Sequence, residues 1–178
     1  MKGDLLDVLG KLFGFLEKGQ KVRNEVIQAV NDLSSAILMA SVYTSSRFNN
    51  AISAADKTQK IQILTSIDKD EIEAHARMNG LCAPIAQASN EILHFCSDLN
   101  LNRNIDKKST EELKEIINVL AMGEGGLQAL MSEYISLPID LAEKNETEIN
   151  DWLRKKIVTL ANLSQEAIKC QAAISKVI

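Results

Sequence analysis

The last part of the chain carries the feature that most restricts its fold, a regular spacing of apolar residues. From residue 149 to residue 177 they recur every three or four positions, and Lys156 is the only charged residue in the series. The series is Ile149, Leu153, Lys156, Leu160, Leu163, Ala167, Cys170, Ile174 and Val177. This spacing places every member on one face of an α-helix, whereas a half-buried strand would alternate at every second residue. The pattern therefore predicts a long amphipathic helix.

Three earlier stretches repeat this signal. Two of them hold a seven-residue repeat, and the first follows the 3.6-residue period of a helix. The first series is Val22, Val26, Ala29, Val30, Leu33, Ile37, Ala40, Thr44 and Ala51. The second is Met78, Leu81, Ile85, Ala88, Ile92, Phe95 and Leu99. The third is Leu113, Ile116, Leu120, Gly123, Leu127, Leu130, Tyr134, Leu137 and Leu141.

Capping and breaking residues set the expected helix limits at about 20–53, 68–99, 109–143 and 146–178. Asp68 with Glu71 is typical of an N-cap and its third-position partner, and Ser109 with Glu112 repeats that arrangement. Pro138 should bend or end the third helix near its C-terminal end. Residues 54–65 are consistent either with a continuation of the first helix after a break or with a separate short helix.

Composition agrees with a helical fold. Aromatic residues make up only 4% of the 178 residues, and the chain has two prolines and eight glycines. Sheet proteins need turn residues far more often and favour aromatic and β-branched side chains. We therefore predict an all-α, up-down-up-down four-helix bundle of long helices spanning 20–178, with an additional short amphipathic N-terminal helix within 1–19.

The N-terminal segment divides completely by polarity on a helical wheel. Its apolar half consists of Leu5, Leu6, Val8, Leu9, Leu12, Phe13, Phe15 and Leu16. Its other half consists of Asp4, Asp7, Gly10, Lys11, Gly14, Glu17 and Lys18. Two interpretations follow: a fifth helix docked on the bundle, or a detachable helix that inserts its apolar face into a membrane surface or a partner's groove. The balanced charges offer little attraction to anionic lipids.

Charge and cysteine content narrow the class of protein. The net charge is −4, and Lys and Arg concentrate in no segment, so a nucleic-acid partner is not expected. Cys82, Cys96 and Cys170 are an odd number without framework spacing, which indicates buried thiols in a reducing compartment. The chain shows no secretory signal and no run of about twenty apolar residues. We expect a cytoplasmic protein, with peripheral membrane association as the alternative.

The two histidines give little support to catalysis or metal binding. Glu91 and His94 form one copy of a Glu-x-x-His unit that di-iron bundles use twice, and they lie on the polar face of their helix. His75 and Cys82 are two helical turns apart, too far for a nucleophile and its base to touch. We predict a partly buried, hydrogen-bonded His75 at a helix seam, and no catalytic residue, metal or cofactor.

Three further features have competing interpretations. The glycines Gly123, Gly125 and Gly126 are consistent with close helix packing, and alternatively with a hinge in the third helix. Lys156, a charge in an apolar series, should set helix register or extend outward along its apolar stem. Trp152 is expected to anchor the edge of the core, although an exposed tryptophan would mark a partner surface.

These observations predict a non-enzymatic helical-bundle interaction module, acting by self-association or by binding a partner's helix. The alternative is a membrane-acting bundle whose N-terminal helix inserts into lipid, as in helical cell-death or defence effectors. The alternative is an analogy at the level of the fold, because no motif in the chain specifies it.

Overall fold

The computed structural model describes residues 24–80 and 132–177, and the regular structure in these two ranges is α-helical, without strands. The helices are α1 (Asn24–Ile52), α2 (Lys57–Thr65), α3 (Lys69–Gly80) and α4 (Glu146–Val177). Residues 132–135 are helical as well. The all-α prediction is confirmed for this part of the chain. The predicted helix within 1–19, and the parts of the predicted helices that fall in 81–131, lie outside the described residues.

Helix α1 remains helical through its serine-rich second half. Leu33, Ile37, Ala40, Thr44 and Ala51, all from the predicted apolar series, are buried. Ser34 and Ser41 are buried beside them, and such small side chains let neighbouring helices approach closely. Tertiary packing on this face therefore compensates for the modest helix propensity of serine and asparagine.

Helix α4 packs antiparallel against α1. At one end of the seam the Gln171 amide donates a hydrogen bond to Ser35 Oγ over 2.8 Å. At the other end Phe48 and Trp152 meet with ring centroids 5.5 Å apart. The α4 core positions match the predicted series, and they are Ile149, Leu153, Leu160, Leu163, Ala167 and Cys170. The seven-residue spacing thus identified the buried face of α4.

A short separate helix, α2, follows α1, which decides between the two interpretations of residues 54–65. The Asp56 carboxylate caps it by accepting a hydrogen bond from the Gln59 amide over 2.9 Å. Lys60, only 3% exposed, turns its ammonium group back to the carbonyls of Ala51, Ile52 and Ala54 at 2.9–3.2 Å. These are carbonyls at the C-terminal end of α1, where the helix dipole favours a cation.

Helix α3 also runs antiparallel to α1, because Arg77 approaches Met39 while Glu71 contacts Arg47. The predicted N-cap is confirmed: Asp68 Oδ1 accepts a hydrogen bond from the Glu71 amide over 2.7 Å. The role predicted for the Glu71 side chain is wrong. Its carboxylate does not bond back to Asp68 but enters the seam with α1, where a buried guanidinium is a stronger partner than a backbone amide.

The third predicted helix ends earlier than residue 143. Residues 136–145 form a loop with turns, because a residue that precedes proline is disfavoured in the α conformation and Pro138 itself lacks an amide donor. Leu141 is still buried, although it lies in a turn rather than on a helix face. Helix α4 then begins at a reciprocal cap between Asn145 and Glu148, with bonds of 3.0 and 2.8 Å.

Candidate functional site

The site residues predicted from sequence lie outside the described residues. They are the apolar face Leu5, Leu6, Val8, Leu9, Leu12, Phe13, Phe15 and Leu16, and the hinge candidates Gly123, Gly125 and Gly126. Cys82 and the Glu91–His94 pair lie outside as well. The four described helices offer two other kinds of candidate, buried polar groups and exposed apolar groups.

A buried ion pair joins three helices. Arg47 on α1 donates from Nε to Glu71 Oε2 over 2.8 Å and from Nη2 to Glu71 Oε1 over 3.1 Å. Its Nη1 donates to the Leu64 carbonyl at the end of α2. Thr44 adds a hydrogen bond to Glu71 Oε1 over 2.9 Å. The Glu71 side chain is fully buried and that of Arg47 is 7% exposed.

This cluster stabilises the fold and offers no site for substrate. Both carboxylate oxygens of Glu71 and three guanidinium nitrogens of Arg47 are already hydrogen-bonded in a bidentate arrangement. Sequence reasoning missed the pair, because both residues read as ordinary charges on amphipathic helices. A hint was available, because Arg47 falls in the spacing of the apolar series, three residues after Thr44 and four before Ala51.

His75 lies one turn after Glu71 on α3 and is half-buried. Its Nε2 is 4.0 Å from Glu71 Oε1 and is buried without a hydrogen-bond partner among the described residues. The predicted partial burial is confirmed, and Nε2 does not make the hydrogen bond that was predicted for the imidazole ring. Burial lowers the pKa of His75 below its usual 6.5; Glu71 opposes this effect and Arg47 adds to it. His75 is therefore neutral at pH 7.

Cys170 and Lys156 confirm two predictions about α4. Burial, assisted by the Glu166 carboxylate, raises the pKa of the Cys170 thiol to about 11, so it is protonated at neutral pH and a poor nucleophile. Lys156 extends out of its apolar series to donate to the Glu133 carbonyl, with its ammonium 5.7 Å from the Trp152 ring centre. Trp152 itself is half-buried against Phe48, as expected of an anchor at the core edge.

Across residues 24–80 and 132–177, no group of three or more His, Cys, Asp or Glu side chains could hold a metal ion. None of the helices in these ranges is long and apolar enough to cross a membrane.

The outward side of α4 carries a second series with the spacing of a coiled-coil seam. We call it the outer stripe; its residues are Val158, Ala161, Gln165, Ile168 and Ala172, all exposed. Val158 is 60% exposed and Ile168 is 51% exposed. Val158 lies about 200° around the helix from the buried Leu160. The stripe therefore faces away from α1, and steps of three and four residues suit contact with another helix.

Comparisons with known proteins identify no family for this chain. The chain matches no protein-family model, and neither the curated proteins nor the solved structures give a significant match.

Replacing one residue of the buried ion pair should lower the free energy of unfolding strongly, whereas replacing both should lower it little. Arg47→Met leaves the Glu71 carboxylate buried without its cation, so we expect the free energy of unfolding to fall by about 3–5 kcal/mol. Adding Glu71→Leu removes the uncompensated charge and should recover most of that loss. Urea denaturation of the two single variants and the double variant measures the coupling.

Lys69→Met is the matched control for this cycle. Lys69 pairs with Glu73 at 3.6 Å, with side chains 86% and 66% exposed, so its loss should change stability by less than about 1 kcal/mol. Equal losses in Arg47→Met and Lys69→Met, or a double variant as unstable as Arg47→Met, would contradict the assigned role of the pair.

The neutral, half-buried His75 makes folding sensitive to acid. Its pKa is lowered in the folded protein, so the unfolded chain binds the additional proton first. Its stabilising contribution is complete above pH 6.5 and is lost as the pH falls through the lowered pKa. His75→Gln should therefore flatten the decrease in stability between neutral pH and pH 5, as measured by thermal melts. An unchanged slope in this variant would refute the prediction.

Proposed function

We propose that this chain is a non-enzymatic helical interaction module, built as a four-helix up-down bundle, which contacts another protein helix through the outer stripe of α4. The observation that carries the proposal is the stripe itself: a seam of apolar and small residues at heptad spacing on the exposed side of the longest described helix.

The size and chemistry of the stripe define the kind of contact. From Val158 to Ala172 it is about 21 Å long, the length of four turns of a partner helix. Ala161 and Ala172 allow close approach, and Val158 and Ile168 provide the apolar contact. So short a stripe corresponds to a weak, reversible interface rather than an obligate one. The composition of the stripe specifies no particular partner, so a second copy of the chain is the simplest molecule to bind there.

The interior of the described helices supports a structural rather than a catalytic use of their polar groups. Arg47 and Glu71 satisfy each other, and Lys60 satisfies the end of α1. The Cys170 thiol is buried and protonated at neutral pH. Each of these groups stabilises the fold that presents the outer stripe.

Sedimentation velocity on the full chain over a wide concentration range tests the proposal. We expect a monomer–dimer equilibrium, and Val158→Lys with Ile168→Lys should weaken dimerisation at least about tenfold by placing charge in the seam. The control is Val42→Lys with Ile72→Lys, which changes two residues on α1 and α3 that are each 54% exposed. It should leave the equilibrium unchanged. A monomer at all concentrations, or equal weakening by both variants, would overturn self-association through this stripe.

The alternative function is membrane insertion by the N-terminal segment, which is favoured by its complete division into apolar and polar halves. Liposome flotation of the full chain and of a chain lacking residues 1–18 separates the two functions. Flotation that depends on residues 1–18 would support the membrane function, and the absence of lipid binding by both chains would remove it.

A further inference from the structure

Among the side chains that the structure describes, helix α3 is attached to α1 mainly by charge. Glu71 and Ala74 are the two described side chains of α3 that are buried, and Ile72 is 54% exposed. An alanine side chain buries much less apolar area than a leucine or an isoleucine. The bonds from Arg47 and Thr44 to Glu71 therefore provide most of this attachment.

The imidazole of His75 lies against this contact without taking part in it. Its Nε2 is buried, has no hydrogen-bond partner among the described residues, and is 4.0 Å from Glu71 Oε1. A charge-assisted hydrogen bond would be about 2.7–2.9 Å long. Glu71 Oε1 already accepts from Thr44 at 2.9 Å and from Arg47 at 3.1 Å. A neutral imidazole leaves these bonds undisturbed.

A proton on His75 changes the charge balance of the contact. Glu71 attracts the imidazolium from one turn earlier on α3, and Arg47 on α1, the described helix packed against α3, repels it. Two cations beside one carboxylate leave a net positive charge in the interior, which is unfavourable without a further anion. Water would solvate the imidazolium if α3 moved away from α1.

From this geometry we propose that the contact between α1 and α3 is a proton-sensitive latch: a proton bound at His75 releases α3 from α1, whereas the seam between α1 and α4 stays closed. The seam is retained because its α4 side consists of apolar side chains such as Leu153, Leu160 and Leu163, which carry no charge to titrate. The inference is independent of the proposed function, because the outer stripe lies on α4.

The direction of the pH effect follows from the two states of the latch. In the closed state burial lowers the pKa of His75 below 6.5, Glu71 opposes this effect and Arg47 adds to it. In the released state the imidazole is in water and has its usual pKa, so the released state binds the proton first. Release therefore becomes easier as the pH falls below 6.5, and the effect is complete below the lowered pKa.

Hydrogen–deuterium exchange of the full chain at pH 7.5 and pH 5.0, with labelling times adjusted for the intrinsic exchange rate, tests the latch. We expect the protection of the α3 amides to fall at least about threefold at pH 5.0, while the α4 amides keep theirs. His75→Gln should abolish this fall. His94→Gln, which removes the other histidine of the chain, is the matched control and should retain it.

Histidine NMR on the unmodified protein decides the question if His75→Gln does not fold. The two imidazole Cε1 signals are followed from pH 7.5 to pH 5.0, and the spectrum of His94→Gln identifies the signal of His75. Its midpoint should lie below 6.5 and coincide with the loss of α3 protection.

Four results would overturn the latch. They are equal protection of α3 at both pH values, a joint loss of protection by α3 and α4, a fall that persists in His75→Gln or disappears in His94→Gln, and a His75 midpoint at or above 6.5.

Discussion

The bidentate contact between Arg47 and Glu71 is the interaction on which the packing of the first three helices depends. It joins α1 to α3, and the third guanidinium nitrogen reaches the Leu64 carbonyl at the end of α2. Burying two charges is unfavourable unless each finds its counterpart and its remaining hydrogen bonds, and here Thr44 completes the set. Because this geometry needs three helices in one arrangement, the pair fixes how α3 is placed against α1.

Lys60 is a second buried charge whose hydrogen bonds are formed within the protein, at the C-terminal end of α1. The last carbonyls of α1 have no partner within the helix, and the buried Lys60 side chain donates hydrogen bonds to those of Ala51 and Ile52 and to that of Ala54 just beyond the helix. In these two clusters the charged groups have hydrogen-bond partners. The other side of α1 packs against α4 through apolar residues. Among the described residues, the outward side of α4 carries the exposed outer stripe, which is the basis of the proposed function.

From the sequence, only the kind of candidate site could be predicted, namely a helix face that contacts another helix. Heptad spacing predicted contact with another helix. It did not distinguish the residues of the outer stripe from the rest of α4, and these are Val158, Ala161, Gln165, Ile168 and Ala172. Only the more apolar of the two series on this helix was identified from the sequence, and the weaker one was assigned no role. The stronger series, with Leu153, Leu160 and Leu163, packs inside because it buries more apolar area. The exposed position of the weaker series follows only once α1 is in place.

The sequence by itself determined the helical class, the buried faces of α1 and α4, the cap at Asp68 and the disruption at Pro138. Each of these depends on contacts within a few residues along the chain, so a local pattern is sufficient. Only the tertiary structure decided that the Glu71 side chain pairs with Arg47, that Lys60 donates to the carbonyls at the end of α1, and that the half-buried His75 lies beside the pair. Glu71 joins residues 24 and 27 positions away and Lys60 reaches back 6 to 9 positions, and the energies of these contacts depend on burial and on the position of a second helix, which no local spacing encodes.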